Sequence, residues 1–210
     1  EKLKILISNF PSGKYFNESK LWLSLCELRS DNLNESELII NNLLINKELN
    51  KYEKYLLSQI YAEISLLQND TEEVYKYYRE ALKFTSTDRQ KIKVYNKLIG
   101  ASEKNDDFSN LIIFLDELYN IIEDENDKKE IKLTSIDYNK KLKNYDFLIN
   151  EIEKLLNLSS FSNKRLFLNL ELGKAYYEIN EVSTSKKIFQ DIISENSKKK
   201  ETAEAYYYLA

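Results

Sequence analysis

A chain of 210 residues with three glycines, one proline and no histidine has few helix breakers, and it lacks the commonest general base, proton shuttle and metal ligand. Its 42% apolar residues are enough for a core and its 31% charged residues for a solvated surface. The 31 basic and 35 acidic residues leave a net charge of -4, without the basic excess of a nucleic-acid binder.

In chain order, residues 1–8 read as a partial helix, and Phe10-Pro11-Ser12-Gly13 stops it. Helix pairs follow. First helices are predicted around 21–28, 56–67, 92–99, 131–142 and 166–179. Each leads into a polar turn: Ser30-Asp31-Asn32, Gln68-Asn69-Asp70, Asn105-Asp106-Asp107, Lys143-Asn144 and Asn180-Glu181. Asn and Asp tolerate the left-handed conformation and cap the helix that follows. After each turn Leu33, Phe108, Tyr145 and Val182 are expected to tuck into the junction, with Thr71 a poorer fit.

The second helices carry the repeat. Ser36, Val74, Leu111, Leu148 and Ser185 are spaced 38, 37, 37 and 37 residues apart. Ile40, Tyr78, Leu115, Ile152 and Phe189 come four residues later, and Leu43, Ala81, Leu118, Leu155 and Ile192 three further on. Offsets of four and three place each trio on one helical face. Twelve residues before each anchor stand Ser24, Ala62, Ile99, Ile136 and Gly173, and the next step lands on Ala210. Small residues there allow close approach of backbones, while Ile99 and Ile136 depart and Gly100 sits one place late. Longer polar links are expected at 46–50, 85–88, 123–128, 159–163 and 194–198.

One helix pair cannot bury its apolar face alone, so stacking is required. The expected architecture is an all-α superhelix, a single solenoid over 1–210 of about five repeats. These span 14–50, 51–87, 88–125, 126–162 and 163–198, with partial helices 1–8 and 201–210 that mark a section of a longer array. Cys26, the only cysteine, lies in an apolar run and is expected to be a buried structural thiol. The basic run Lys198-Lys199-Lys200 precedes Glu201 and Glu204 and reads as a solvated helix start.

The stretch Leu172-Gly173-Lys174-Ala175-Tyr176-Tyr177, followed by Asn180-Glu181-Val182, Ser185 and Phe189, resembles a tetratricopeptide repeat. The family's roles fall on Leu172, Gly173, Tyr176, Ser185, Phe189 and Ile192, where Ile192 replaces the usual Ala and Asn180 the usual turn glycine. The period is 37, longer than the roughly 34 of that family. Asn9-Phe10-Pro11-Ser12 with Ser19 and Trp22-Leu23-Ser24, echoed by the last ten residues, is similar to repeats of bacterial cell-envelope proteins, such as the TolA-binding coordinator of cell division and the outer-membrane assembly lipoprotein.

The resemblance implies a protein-binding or scaffolding module whose concave face, lined by first helices, holds a peptide. Candidate contacts are Leu21, Leu25, Leu28, Lys140, Phe167, Leu170, Lys174 and Tyr177. Gln59, Glu63, Leu66, Lys93, Asn96, Gly100, Glu103, Leu133 and Asp137 supply a polar middle. Lys140 and Lys174 stand alone, without the basic and Asn set that clamps a terminal carboxylate in chaperone-binding members. No phosphate loop, zinc signature or calcium loop is present, so no enzyme activity, cofactor or metal is expected. The expected partner is another protein or peptide in the cell envelope or periplasm, not nucleic acid or a small-molecule substrate, and no direct membrane contact is indicated. A structural arm of a larger protein, or self-association, are the alternatives.

Overall fold

A computed structural model describes residues 1–44, 49–195 and 198–210. The links expected at 46–50 and 194–198 lie partly outside the described residues. Among the described residues the chain forms α-helices, one 3-10 segment and no strand. It divides into two compact units, Glu1–Ile121 and Ile122–Ala210.

The first unit holds α1 (Lys2–Asn9), α2 (Phe16–Leu28), α3 (Leu33–Leu44), α4 (Lys51–Leu67), α5 (Thr71–Lys83), α6 (Asp88–Lys104) and α7 (Phe108–Tyr119). The second holds α8 (Glu125–Lys141), α9 (Tyr145–Leu156), a 3-10 segment (Ser159–Lys164), α10 (Arg165–Glu178), α11 (Val182–Ser194) and α12 (Lys200–Leu209). Helices of 12 to 17 residues are marginal in isolation. Their stability comes from the shared core, where each fully buried Leu, Ile or Phe contributes about 1.5–3 kcal/mol.

That core is the one the periodicity marks. All fifteen apolar-stripe positions of the second helices, from Ser36 to Ile192, are buried. The first unit has one continuous core from Leu21 to Phe114. The second has two clusters, one around Ile136, Ile152 and Leu168 and one around Leu170, Phe189 and Ala205.

Five turns join the paired helices in the same way. Asp31, Asn69, Asp106, Lys143 and Asn180 all have positive φ, between 53° and 65°. The next residue's N–H then reaches five residues back: Asn32 to Glu27, Asp70 to Ser65, Asp107 to Ser102, Asn144 to Asn139 and Glu181 to Tyr176, at 2.9–3.1 Å. This closes the orphan carbonyls of each first helix. Asp70 and Asp107 also accept hydrogen bonds from Glu73 and Asn110 N–H and so cap the second helix.

The longer first helices begin at designed starts. Asn50 with Glu53, and Thr87 with Gln90, form reciprocal capping boxes, and Asp124 accepts from Asn126 and Asp127 N–H. Two expected links therefore lie earlier in the chain than their sequence implies, because α6 starts at Asp88 and α8 at Glu125. The link at 159–163 is mostly 3-10 helix, pinned by buried Phe161.

Small residues do bring backbones together, at particular crossings. Ser24 Oγ lies 2.8 Å from Ser36 Oγ, and Ser185 Oγ donates to the Gly173 carbonyl at 2.8 Å. A β-carbon on Gly173 would stand 2.6 Å from Phe189 Cε1, whereas one on Gly100 would meet nothing within 4 Å. Two expectations are corrected. Cys26 is exposed, because the buried face of α2 runs through Leu21, Ser24, Leu25 and Leu28 and turns Cys26 outward. Val182 is also exposed, since it opens α11 with Ser185 as the first buried residue of that helix.

Gly173→Ala is expected to cost about 1–3 kcal/mol, because the Phe189 ring is fully buried and stacked on Tyr208 and has no room to retreat. Urea denaturation would show it, and an unchanged midpoint would contradict the close crossing. Lys143→Gly should instead stabilise by about 0.5–1 kcal/mol, since Lys143 alone among the five turn residues is neither Asn nor Asp at positive φ.

Candidate functional site

In the first unit a cleft of about 610 Å³ opens between the first helices α2, α4 and α6. That volume falls in the range of sites that hold small ligands or peptide side chains. Trp22, Leu25 and Arg29 enter it from α2 and its C-terminal cap. Tyr52, Tyr55, Leu56, Gln59 and Glu63 enter from α4, and Gln90, Lys93, Asn96 and Lys97 from α6. On each helix these residues recur at three- and four-residue steps, so one face of each helix lines the cleft.

An aromatic shelf lines part of the cleft. Trp22 and Tyr52 are each 37% exposed, and the Tyr52 and Tyr55 rings stack at 6.0 Å with 27° between planes. Burial pushes both phenols above their ordinary value, helped by Glu18 at Tyr52 and by Tyr52 at Tyr55, so both stay neutral donors.

Charge dominates another part. Glu63 Oε1 lies 3.2 Å from Arg29 Nη2 and 3.8 Å from Lys97 Nζ, linking α2, α4 and α6 through one carboxylate. Lys93 and Asn96 have no side-chain partner among the described residues. Beneath lies Tyr78, whose buried hydroxyl has no hydrogen-bond partner in the structure; burial first and Glu63 second push it far above its ordinary value. Three cations against one anion make the lining net positive in a chain of net charge -4.

The candidate contacts read from the sequence divide. Leu25 lines the cleft but is largely buried, and Leu21 and Leu28 belong to the core of the first unit. Leu170 lies inside the last cluster of the second unit. Leu21, Leu28 and Leu170 are thus packing residues and not exposed contacts, because they sit on the helix face that meets the second helices, whereas Leu25 packs there and also borders the cleft. Phe167 is half-buried against the cluster around Ile136. Tyr177 is exposed and meets Tyr208 edge-on at 5.8 Å.

Lys140 and Lys174 do not stand alone. Both pair with Glu171, which is buried on α10: Lys140 reaches it from α8 at 2.5 Å and Lys174 from its own helix at 3.0 Å. Lys174 also bonds Glu204 of α12 at 2.6 Å, and Lys200 pairs with Glu204 at 3.3 Å. The first helices of the second unit are thus joined by alternating charges. Burial lowers the Lys174 pKa, but its bonds to Glu204 and Glu171 outweigh that and raise it; the bond from Lys174 holds Glu204 below the ordinary carboxylate value.

Of the residues named from sequence, Leu25, Gln59, Glu63, Lys93 and Asn96 are brought together in the cleft. Trp22, Arg29, Tyr52, Gln90 and Lys97 were missed, although an offset of five from Ser24 points to Arg29. Among the described residues no group of three or more His, Cys, Asp or Glu is placed to hold a metal ion, and no helix is long and apolar enough to cross a membrane.

No protein-family model and no curated protein matches the chain. Among solved structures, the apo form of RapI is similar over 98% of this chain and 62% of its own, with 15% identity and a TM-score of 0.53. TPR-like repeats of a Podosopora anserina protein described as a kinesin light chain match 90% of this chain and all of theirs at 11% identity and a TM-score of 0.47. A point variant of the same repeats gives 12% identity and 0.45 over 84% of this chain. The likeness to RapI is one of fold. The chain has the all-α, TPR-like stack of antiparallel helix pairs expected from its sequence.

The Glu204 pKa is depressed in the folded state, so its contribution to stability is full above the ordinary carboxylate value of 4.5 and is lost as pH falls through the lower folded value. Thermal midpoints measured from about pH 6 down to about pH 3 should therefore drop more steeply for the natural chain than for Glu204→Gln. Parallel curves would show that the Lys174–Glu204 pair does not contribute.

Proposed function

We propose that the chain is a protein-interaction module and that the cleft of α2, α4 and α6 holds a short segment of a partner protein. One observation carries this reading: exposed Trp22 and Tyr52 share an open cleft with the Lys93 and Asn96 side chains, which have no partner among the described residues. Aromatic side chains give large contact area with little entropy to lose, and polar groups without partners supply direction. The peptide-binding face that the sequence resemblance implies runs along first helices, and these are the helices that line this cleft.

Binding accounts for the cleft better than catalysis does. The lining has no histidine or cysteine, and its single carboxylate, Glu63, is held by two cations. The narrower reading, a role in a bacterial cell envelope, draws its support from the stretches 9–24 and 201–210 alone. Fractionation of the natural host with an antibody to the chain tests it, and recovery outside the envelope fractions would refute it.

Selection of short random peptides displayed on phage tests the cleft. Enriched peptides should bind the natural chain and lose about tenfold in affinity when Tyr52→Ala and Asn96→Ala are combined. Tyr177→Ala, on the other unit, should leave affinity within about twofold. Peptides indifferent to the paired cleft change would overturn the proposal.

A further inference from the structure

The cleft has three cations but offers only one of them. Arg29 and Lys97, on opposite walls, both face Glu63 on α4. The Glu63 side chain is 18% exposed, against 60% for Arg29 and 53% for Lys97, so the carboxylate is the sheltered member of the group. Losing a sheltered carboxylate's partners is costly, so Glu63 keeps the two cations committed. Lys93 stands one turn from Lys97 on the same face of α6, is exposed and has no partner among the described residues.

We infer that Glu63 sets the specificity of the cleft: it acts as a resident acidic group that occupies Arg29 and Lys97, so the cleft takes a partner segment with a single carboxylate beside an aromatic or leucine side chain. This rests on the peptide-binding reading above and deepens it. The incoming carboxylate pairs with Lys93, while the apolar side chain lies on the shelf of Trp22 and Tyr52. A second or third carboxylate would have to approach Arg29 or Lys97 and would meet Glu63 at close range. Like charges in a partly desolvated site repel more strongly than in water. Glu63 therefore both attracts and excludes: it holds the walls of the cleft together and rejects acidic runs.

The test uses the 210-residue chain and three fluorescein-labelled synthetic peptides. They share one Leu-Phe anchor in a Ser/Gln frame and contain no Glu, one Glu or three Glu residues next to it. Fluorescence anisotropy should give the natural chain about fivefold tighter binding of the one-Glu peptide than of the peptide without Glu, and no further gain with three. Glu63→Gln should bind the three-Glu peptide about tenfold more tightly than the natural chain does, because two cations are released. Lys93→Gln should abolish the one-Glu preference, so that the one-Glu and Glu-free peptides bind this variant alike.

The role of Glu63 is overturned if the natural chain already gains in steps from one to three Glu, or if Glu63→Gln leaves the three-Glu affinity unchanged. Circular dichroism checks that Glu63→Gln keeps the helical signal. If it does not, Arg29→Gln, at a more exposed position, replaces it: freeing Glu63 from one cation should weaken the three-Glu peptide at least as much as the one-Glu peptide. If all three peptides bind alike yet are weakened together by Tyr52→Ala with Asn96→Ala, the cleft reading stands and the role of Glu63 falls. If that pair weakens none of them, the cleft reading falls first.

Discussion

One backbone conformation recurs between paired helices, and the helix stack depends on it. At Asp31, Asn69, Asp106, Lys143 and Asn180 a single residue turns left-handed, and the next N–H bonds five residues back. Such a turn ends the first helix at a fixed residue and releases the chain into the second with a fixed phase. Phase is what matters here. Each buried trio of a second helix, such as Leu148, Ile152 and Leu155, faces its partner only if the turn delivers it at the right rotation. A left-handed residue costs roughly 1–2 kcal/mol unless it is Gly, Asn or Asp, so its repetition every 37 or 38 residues is a constraint and not drift.

That constraint explains what the sequence made legible. The turns were readable because Asn and Asp are the residues that tolerate the left-handed region, and the second helices because their stripe recurs at 37 residues. Cys26 departs from its expected burial for a related reason. The run Leu21-Trp22-Leu23-Ser24-Leu25-Cys26 is apolar all round, so composition gave no phase, and only packing against α3 shows that Ser24 is inside and Cys26 outside. Leu21, Leu28 and Leu170 follow the same rule: on a largely apolar first helix in a stack, the apolar residues in phase with the neighbours are the ones buried.

The two units use the same electrostatic device with opposite results. In each, a sheltered glutamate on a first helix is held by two cations: Glu63 by Arg29 and Lys97 from the neighbouring segments, Glu171 by Lys140 of α8 and by Lys174 of its own helix. In the second unit Glu204 takes up the remaining valence of Lys174, and the charges are absorbed internally. In the first unit no second anion lines the cleft, and Lys93 is left over. No propensity or periodicity encodes that difference. It depends on which residues of three helices, roughly 30 positions apart in sequence, meet in space, which is why Lys174 looked isolated in the sequence and Lys93 did not look special.

Helix length connects the repeat to the cleft. The first helices α4 and α6 have 17 residues, against 12 and 13 for α3 and α5. Their starts are set by the capping boxes at Asn50 and Thr87, 37 residues apart. Tyr52 and Gln90 line the cleft from the first turns of these helices, and Gln90 is itself the reciprocal member of a box. Had α4 begun a turn later, the aromatic shelf would lose Tyr52 and its stack on Tyr55. The caps that fix where α4 and α6 begin therefore also fix what the cleft presents.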